Sequence, residues 1–193
     1  MNASAPMGGL VATLAADLRR KAVWFYESDS RSAVLKALLT DGTPALILYR
    51  LMQFSRRHRL TPLEWIFNRM NSMLCDCIIG RGAEFGPGLL LIHSTGVVIN
   101  GTVRGGSNVS LEHQVTIGAE RRQAPILGSD VFVGAGAKII GPVTIGDGAK
   151  IGANAVVVGD VPAYATAVGI PARIVRRREA PTNGTVLVSA GSR

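Results

Sequence analysis

The chain has little with which to do chemistry. Its 193 residues include three histidines, two cysteines and 5% aromatics, and only 18% are charged. Two thiols do not make a zinc site. Cys75 and Cys77, placed on an expected strand, point to one face and suit no disulfide, so they read as packing cysteines of a reducing cytoplasm. There is no metal-ligand cluster, Walker loop or Ser-His-Asp arrangement. The glycines around Gly134 and Gly152 lie in no βαβ unit, which excludes a dinucleotide loop. The N-terminus lacks a basic region followed by an apolar stretch, so no secretion leader is expected. The most apolar run, Ala45 to Met52, contains Arg50 and is too short to cross a bilayer.

Net charge is +8, concentrated at Arg56-Arg57-His58-Arg59, Arg121-Arg122 and Arg176-Arg177-Arg178. No aromatic-basic interleaving or recognition helix accompanies it, so nucleic acid is not an expected partner. Clustered arginines suit a polyanionic cofactor or an anionic membrane surface better.

Apolar residues are plentiful at 47%, as are glycines at 23, and they are arranged with a period of six. Ile79, Phe85, Leu91, Val97, Val103, Val109 and Val115 keep this phase. After Arg121 it resumes at Leu127, Val133, Ile139, Ile145, Ile151 and Val157. Neither a helix nor a flat strand repeats every six residues. A chain that turns a corner after each short strand does, which predicts a parallel β-helix of nearly five coils with a narrow aliphatic interior.

Three regions follow: a helical N-terminal region over 1–76, the β-helix over 77–175, and a mobile basic and polar tail over 176–193. Within the first, residues 1–8 read as disordered. Leucines at helical spacing predict a helix from Gly9 to Tyr26. Asp29 or Ser30 caps a second through Leu39, stopped by Asp41-Gly42. Thr43-Pro44 and Thr61-Pro62 open helices through Arg57 and to about Leu74.

A filled prism has no internal pocket, so its chemistry belongs outside, in a groove between neighbouring prisms. His93 projects outward while Leu91 faces in, and an imidazole there suits a general base. His113 lies one coil plus two positions further on, where other hexads carry small residues. A bulky ring at such a position marks a second catalytic candidate. Glu112 falls one coil after Ser94, within reach of His93. Arg121 and Arg122 fill the window that breaks the period and can hold a phosphate or carboxylate of the substrate. His58 reads as a solvated helix-end residue.

The hexads, the run His93-Ser-Thr-Gly-Val-Val-Ile, Val115-Thr-Ile-Gly and the closing Val168-Gly-Ile-Pro-Ala-Arg-Ile-Val resemble the hexapeptide-repeat acyltransferases. Within these the chain is similar to the serine acetyltransferase group and to exopolysaccharide (colanic-acid type) O-acetyltransferases. The resemblance implies a left-handed β-helix, a homotrimer, and acetyl-coenzyme A, without metal, in the groove between prisms. It makes His93 the base that deprotonates an acceptor hydroxyl. Gly118, Ala135 and Ala153 would line the pantetheine arm, with Pro171 and Arg173 near the nucleotide. Serine acetyltransferases place aspartates where this chain has Ile78 and Ile92, and a second histidine where it has Ala124. Their C-terminus is typically an apolar Ile, and here it is Arg193. These departures favour a sugar hydroxyl of an exopolysaccharide precursor, with a lipid-linked acceptor at the cytoplasmic face of the inner membrane. The alternatives are a serine O-acetyltransferase of cysteine biosynthesis and an inactive β-helix scaffold.

Overall fold

A computed structural model describes residues 9–179; the expected disorder of residues 1–8 and most of the expected tail lie outside them. The helices are α1 (Leu10–Tyr26), α2 (Arg31–Leu38), α3 (Thr43–Arg57) and α4 (Thr61–Cys75). The starts fall within a residue of expectation, but only α2 has a side-chain cap, since Thr43 and Thr61 are themselves the first helical residues, after Gly42 and Leu60. Ser30 accepts a hydrogen bond from the Ala33 N–H at 3.3 Å, and prolines occupy the first turns of α3 and α4. A proline costs nothing there, because those N–H groups have no partner within the helix.

Short strands follow: β1 (Cys77–Ile79), β2 (Glu84–Phe85), β3 (Leu90–Leu91), β4 (Val97–Ile99), β5 (Arg104–Gly105), β6 (Ser110–Leu111), β7 (Thr116–Gly118) and β8 (Ile126–Leu127). Then come β9 (Phe132–Val133), β10 (Lys138–Ile140), β11 (Thr144–Ile145), β12 (Lys150–Ile151), β13 (Val156–Val157), β14 (Ala165–Val168) and β15 (Arg173–Arg177). They stack into three faces. One holds β1, β4, β7, β10 and β13; the second β2, β5, β8 and β11; the third β3, β6, β9, β12 and β14, with β15 antiparallel at its edge. The chain is thus a mainly β parallel solenoid of about five turns behind a helical region.

Strand pairing corrects the sequence reading in one respect. Cys77 pairs with Val97 and Leu90 with Ser110, both twenty residues on. Val98 pairs with Thr116, eighteen on, but Arg104 pairs with Ile126, twenty-two on. The prism therefore carries two insertions into its eighteen-residue coil. Two residues are added at the corner between β3 and β4, and four between β7 and β8. Together they make six, so the hexad phase returns and the first insertion is invisible in it. The inward residue shifts from Leu91 to Ile99, yet Val97 remains buried because positions two apart on a strand face the same side.

The two cysteines do not share a strand. Cys75 ends α4, Asp76 turns with φ of 46°, and Cys77 opens β1. Both thiols are free, and burial pushes the Cys77 thiol up to about 12. The basic run expected to begin the tail starts inside β15, which extends through Arg177.

The helices dock through buried polar groups. Arg50 of α3 donates to Asp17 of α1 at 2.7 and 3.1 Å, and to the carbonyls of Phe85 and Gly86 at 2.8 and 2.7 Å. Asp17 accepts in turn from the Gly88 N–H at 2.7 Å. Burial raises the Asp17 carboxyl above its ordinary range, and Arg50 opposes that shift. Tyr49 donates to the Ala83 carbonyl at 3.1 Å, while Trp24 stacks on Phe132 with centroids 6.0 Å apart. These contacts lay α1 along the third face and fix the loop before α3 over the first coil.

Candidate active site

The corner between the third face and the first is built by left-handed turn residues: Gly96, Gln114, Gly136 and Asn154, with φ between 56° and 70°. Their N–H groups link successive coils. Gln114 donates to the Thr95 carbonyl at 2.9 Å, Gly136 to that of His113 at 2.9 Å, and Asn154 to that of Ala135 at 2.8 Å. Thr95, His113, Ala135 and Ala153 therefore stand level at this corner. The two-residue insertion places His93 and Ser94 just before it. Ser94 turns inward, buried, and donates to the Cys75 carbonyl at 3.5 Å. His93 turns outward and is 47% exposed.

The structure brings the two histidines together. Their rings lie 5.9 Å apart, inclined by 72°. The spacing of one coil plus two positions works because this first coil is itself two residues longer. Each ring has its own carboxylate. Glu112 Oε2 stands 3.6 Å from His113 Nδ1, so Glu112 serves that ring and not His93, as its spacing from Ser94 had suggested. Glu112 is next to His113 in sequence and starts level with Ile92, because β3 and β6 pair at twenty residues.

His93 Nδ1 instead meets Asp41 Oδ2 at 2.9 Å. Asp41 lies between α2 and α3, fifty-two residues away, and its sequence signal was only that of a helix stop. Lys21 of α1, fully buried, sits behind it and donates to the Asp41 carbonyl and to the Leu91 carbonyl, the latter at 3.0 Å. Burial pushes the Lys21 ammonium down to about 8, with Asp41 opposing.

The other candidates fall into two groups. Ala135 and Ala153 share the histidine corner and leave it low, with no side chain beyond Cβ. Gly118 ends β7 at the far end of that strand, and a Cβ there would meet Ile140 at 3.0 Å. Pro171 and Arg173 lie at the turn into β15 and its start. Nearby positive charge accumulates. The Lys150 ammonium is lowered by burial and then by Arg178 and Arg176. Arg121 and Arg122 sit on the four-residue insertion, both with positive φ. No described hydrogen bond or ion pair joins them to the histidines of their own chain.

Comparison with known proteins decides the family. Residues 124–159 match the bacterial transferase hexapeptide (six repeats) family. The serine acetyltransferase of Helicobacter pylori (strain ATCC 700392 / 26695) is 38% identical over 144 residues, covering 72% of this chain and 84% of that protein. A crystal structure of the Neisseria gonorrhoeae serine acetyltransferase in complex with serine superposes with a TM-score of 0.75 at 34% identity, covering 85% of this chain and 68% of the other. A serine acetyltransferase in complex with CoA gives 0.76 at 34% identity, covering 86% and 69%. These relatives overturn the expectation of an exopolysaccharide sugar acceptor. That expectation sought the missing carboxylates only within the coils, at Ile78 and Ile92, whereas a carboxylate reaches His93 from the helical region. By sequence and by fold, the chain belongs to the serine acetyltransferase family and is an acetyltransferase.

Proposed function

We propose that the chain is a serine O-acetyltransferase using acetyl-coenzyme A as acetyl donor, with His93 as general base. The observation that carries this reading is the 38% identity to a serine acetyltransferase over 84% of that protein's length, together with His93 projecting from the inserted corner. His93 Nε2 accepts the serine hydroxyl proton as the serine oxygen adds to the thioester carbonyl. Backbone N–H groups stabilise the oxyanion. The C–S bond then breaks, the departing thiolate takes the proton, and O-acetylserine and coenzyme A leave. His113, 5.9 Å from His93, borders the reacting atoms.

The residues of the last coils suit the donor. The low corner at Ala135 and Ala153, continued by Gly118, leaves room for a pantetheine arm. Pro171 and Arg173, with the positive charge around Lys150, suit its phosphates. We place the groove between copies in a homotrimer, where Arg121 and Arg122 of one chain meet the histidine corner of the next and hold the serine carboxylate. A reducing, cytoplasmic setting agrees with the free thiols of Cys75 and Cys77.

The test is release of coenzyme A thiol from acetyl-coenzyme A with serine as acceptor. Turnover is expected, falling by about 10²-fold or more in His93→Ala. Turnover that is absent with serine, or that survives His93→Ala, would overturn the reading.

A further inference from the structure

We propose that Asp41, delivered from the turn between α2 and α3, is the positioning carboxylate of His93, so that the helical region supplies what the coils lack at Ile78 and Ile92. The assignment deepens the serine acetyltransferase reading and rests on it for its kinetic test.

Two contacts set the distance from this turn to the histidine corner, and a hydrogen bond within the turn aims the carboxylate. The carboxylate is aimed by its own turn: Oδ1 accepts from the Gly42 N–H at 2.7 Å, leaving Oδ2 to face His93 Nδ1 at 2.9 Å. The turn is tied to the coil by Lys21, whose ammonium bridges the Asp41 and Leu91 carbonyls. Leu91 lies two residues before His93. The turn also touches the coil backbone to backbone. Gly42 has φ of 75°, and a Cβ there would fall 2.5 Å from the Leu91 oxygen. Only glycine permits both that conformation and that approach.

The chemistry follows from the imidazole. A neutral ring has one donor and one acceptor nitrogen, and the group bonded to one nitrogen selects the tautomer. A carboxylate at Nδ1 accepts only, so it keeps the proton there and leaves Nε2 free to take one from a hydroxyl. When Nε2 is protonated, the same carboxylate faces the imidazolium. Both side chains are about half exposed, at 47% and 55%, so water screens their attraction in the free protein. Orientation and tautomer are therefore the main contributions before substrates exclude that water. Glu112 does not compete, since it stands at His113.

Asp41→Asn tests the assignment, because it keeps the side-chain shape and changes an exposed group. Its amide NH2 facing Nδ1 favours the opposite tautomer. We expect kcat with serine to fall about 10²-fold, with the KM for acetyl-coenzyme A within about twofold of the original, as for loss of an interaction made in the transition state. Nitrogen-15 NMR of the imidazoles, assigned with His93→Ala, should show His93 protonated at Nδ1 in the unaltered protein and shifted towards Nε2–H in the variant. The NMR experiment needs no acceptor. If the unaltered protein fails to acetylate serine, the functional reading falls and the tautomer still decides the role of Asp41. An unchanged His93 tautomer in Asp41→Asn, with or without a loss of kcat, overturns the proposal.

Discussion

Between Leu10 and Cys75 the chain buries charge, and along the coils from Cys77 to Val168 it buries none among the described residues. Asp17, Lys21, Arg50 and Glu64 are all within 4% of complete burial in the helices, while Ser94 and Ser110 are the buried polar residues of the coils. The solenoid interior is Val, Ile, Leu and Ala laid over copies of themselves, and its backbone groups are satisfied by the next coil. Repetition places each coil with no need for a directional side-chain contact. The helices repeat nothing, so where they dock must be specified by groups with one set of partners. Arg50 and Lys21 act in this way, and their partners are backbone carbonyls of the first coil. A docking geometry fixed by hydrogen bonds is one that can deliver a carboxylate to an imidazole at 2.9 Å.

The largest effect should come from breaking the helical side of this comparison. Arg50→Ala leaves the Asp17 carboxylate buried without its cation, which costs about 3–5 kcal/mol. Urea unfolding should show that loss, and the double change Asp17→Asn with Arg50→Met should recover part of it. A double variant no more stable than Arg50→Ala would remove the uncompensated charge as the cause.

On the solenoid side, Ile151→Ala deletes a fully buried side chain between coils and should cost about 3 kcal/mol through lost contacts and a residual cavity. Because Ile151 is remote in the stack from the first coil, kcat measured well below the melting temperature should stay within about twofold. A large kcat loss there would mean that the coils, and not the helices, tune the base.

The smallest effect is a dependence on pH. The Lys21 pKa in the folded chain is about 8, below the ordinary 10.5. Between these values the unfolded chain binds more protons, so this residue's contribution to stability rises with pH. Its cost is fully present below pH 8 and gone above 10.5, an amplitude of no more than about 3 kcal/mol. The difference in unfolding free energy between the unaltered protein and Lys21→Met should grow in favour of the unaltered protein across this window. A difference that stays flat would contradict the lowered value. Cys77, raised to about 12, gives the opposite trend at alkaline pH, and the difference cancels it.

Much of the scaffold is legible in the sequence because its signals are local. Thr43-Pro44 and Thr61-Pro62 open the first turns of α3 and α4 through residues adjacent in the chain. Val97 and Ile99 are both buried whichever of them is taken as the inward residue. That same tolerance conceals the register. A two-residue and a four-residue insertion sum to one hexad, so the period alone cannot place the first of them. His93 and His113 stood out by residue type, and their meeting followed from coil length. Asp41 could not be found in this way. Its partner is fifty-two residues away, and the Asp-Gly pair is equally a helix stop. The expectation of a sugar acceptor failed at the same point, since it gave weight to carboxylates missing at Ile78 and Ile92 and none to one supplied from the helices.

The sequence by itself determined the six-residue solenoid, the helix starts and the outward histidine that stands as candidate base, because each is written in neighbouring residues. Only the tertiary structure decided which carboxylate faces His93. The contact depends on Arg50, Lys21 and Gly42 docking the helices on the first coil, and a contact between distant segments exists only once both are packed.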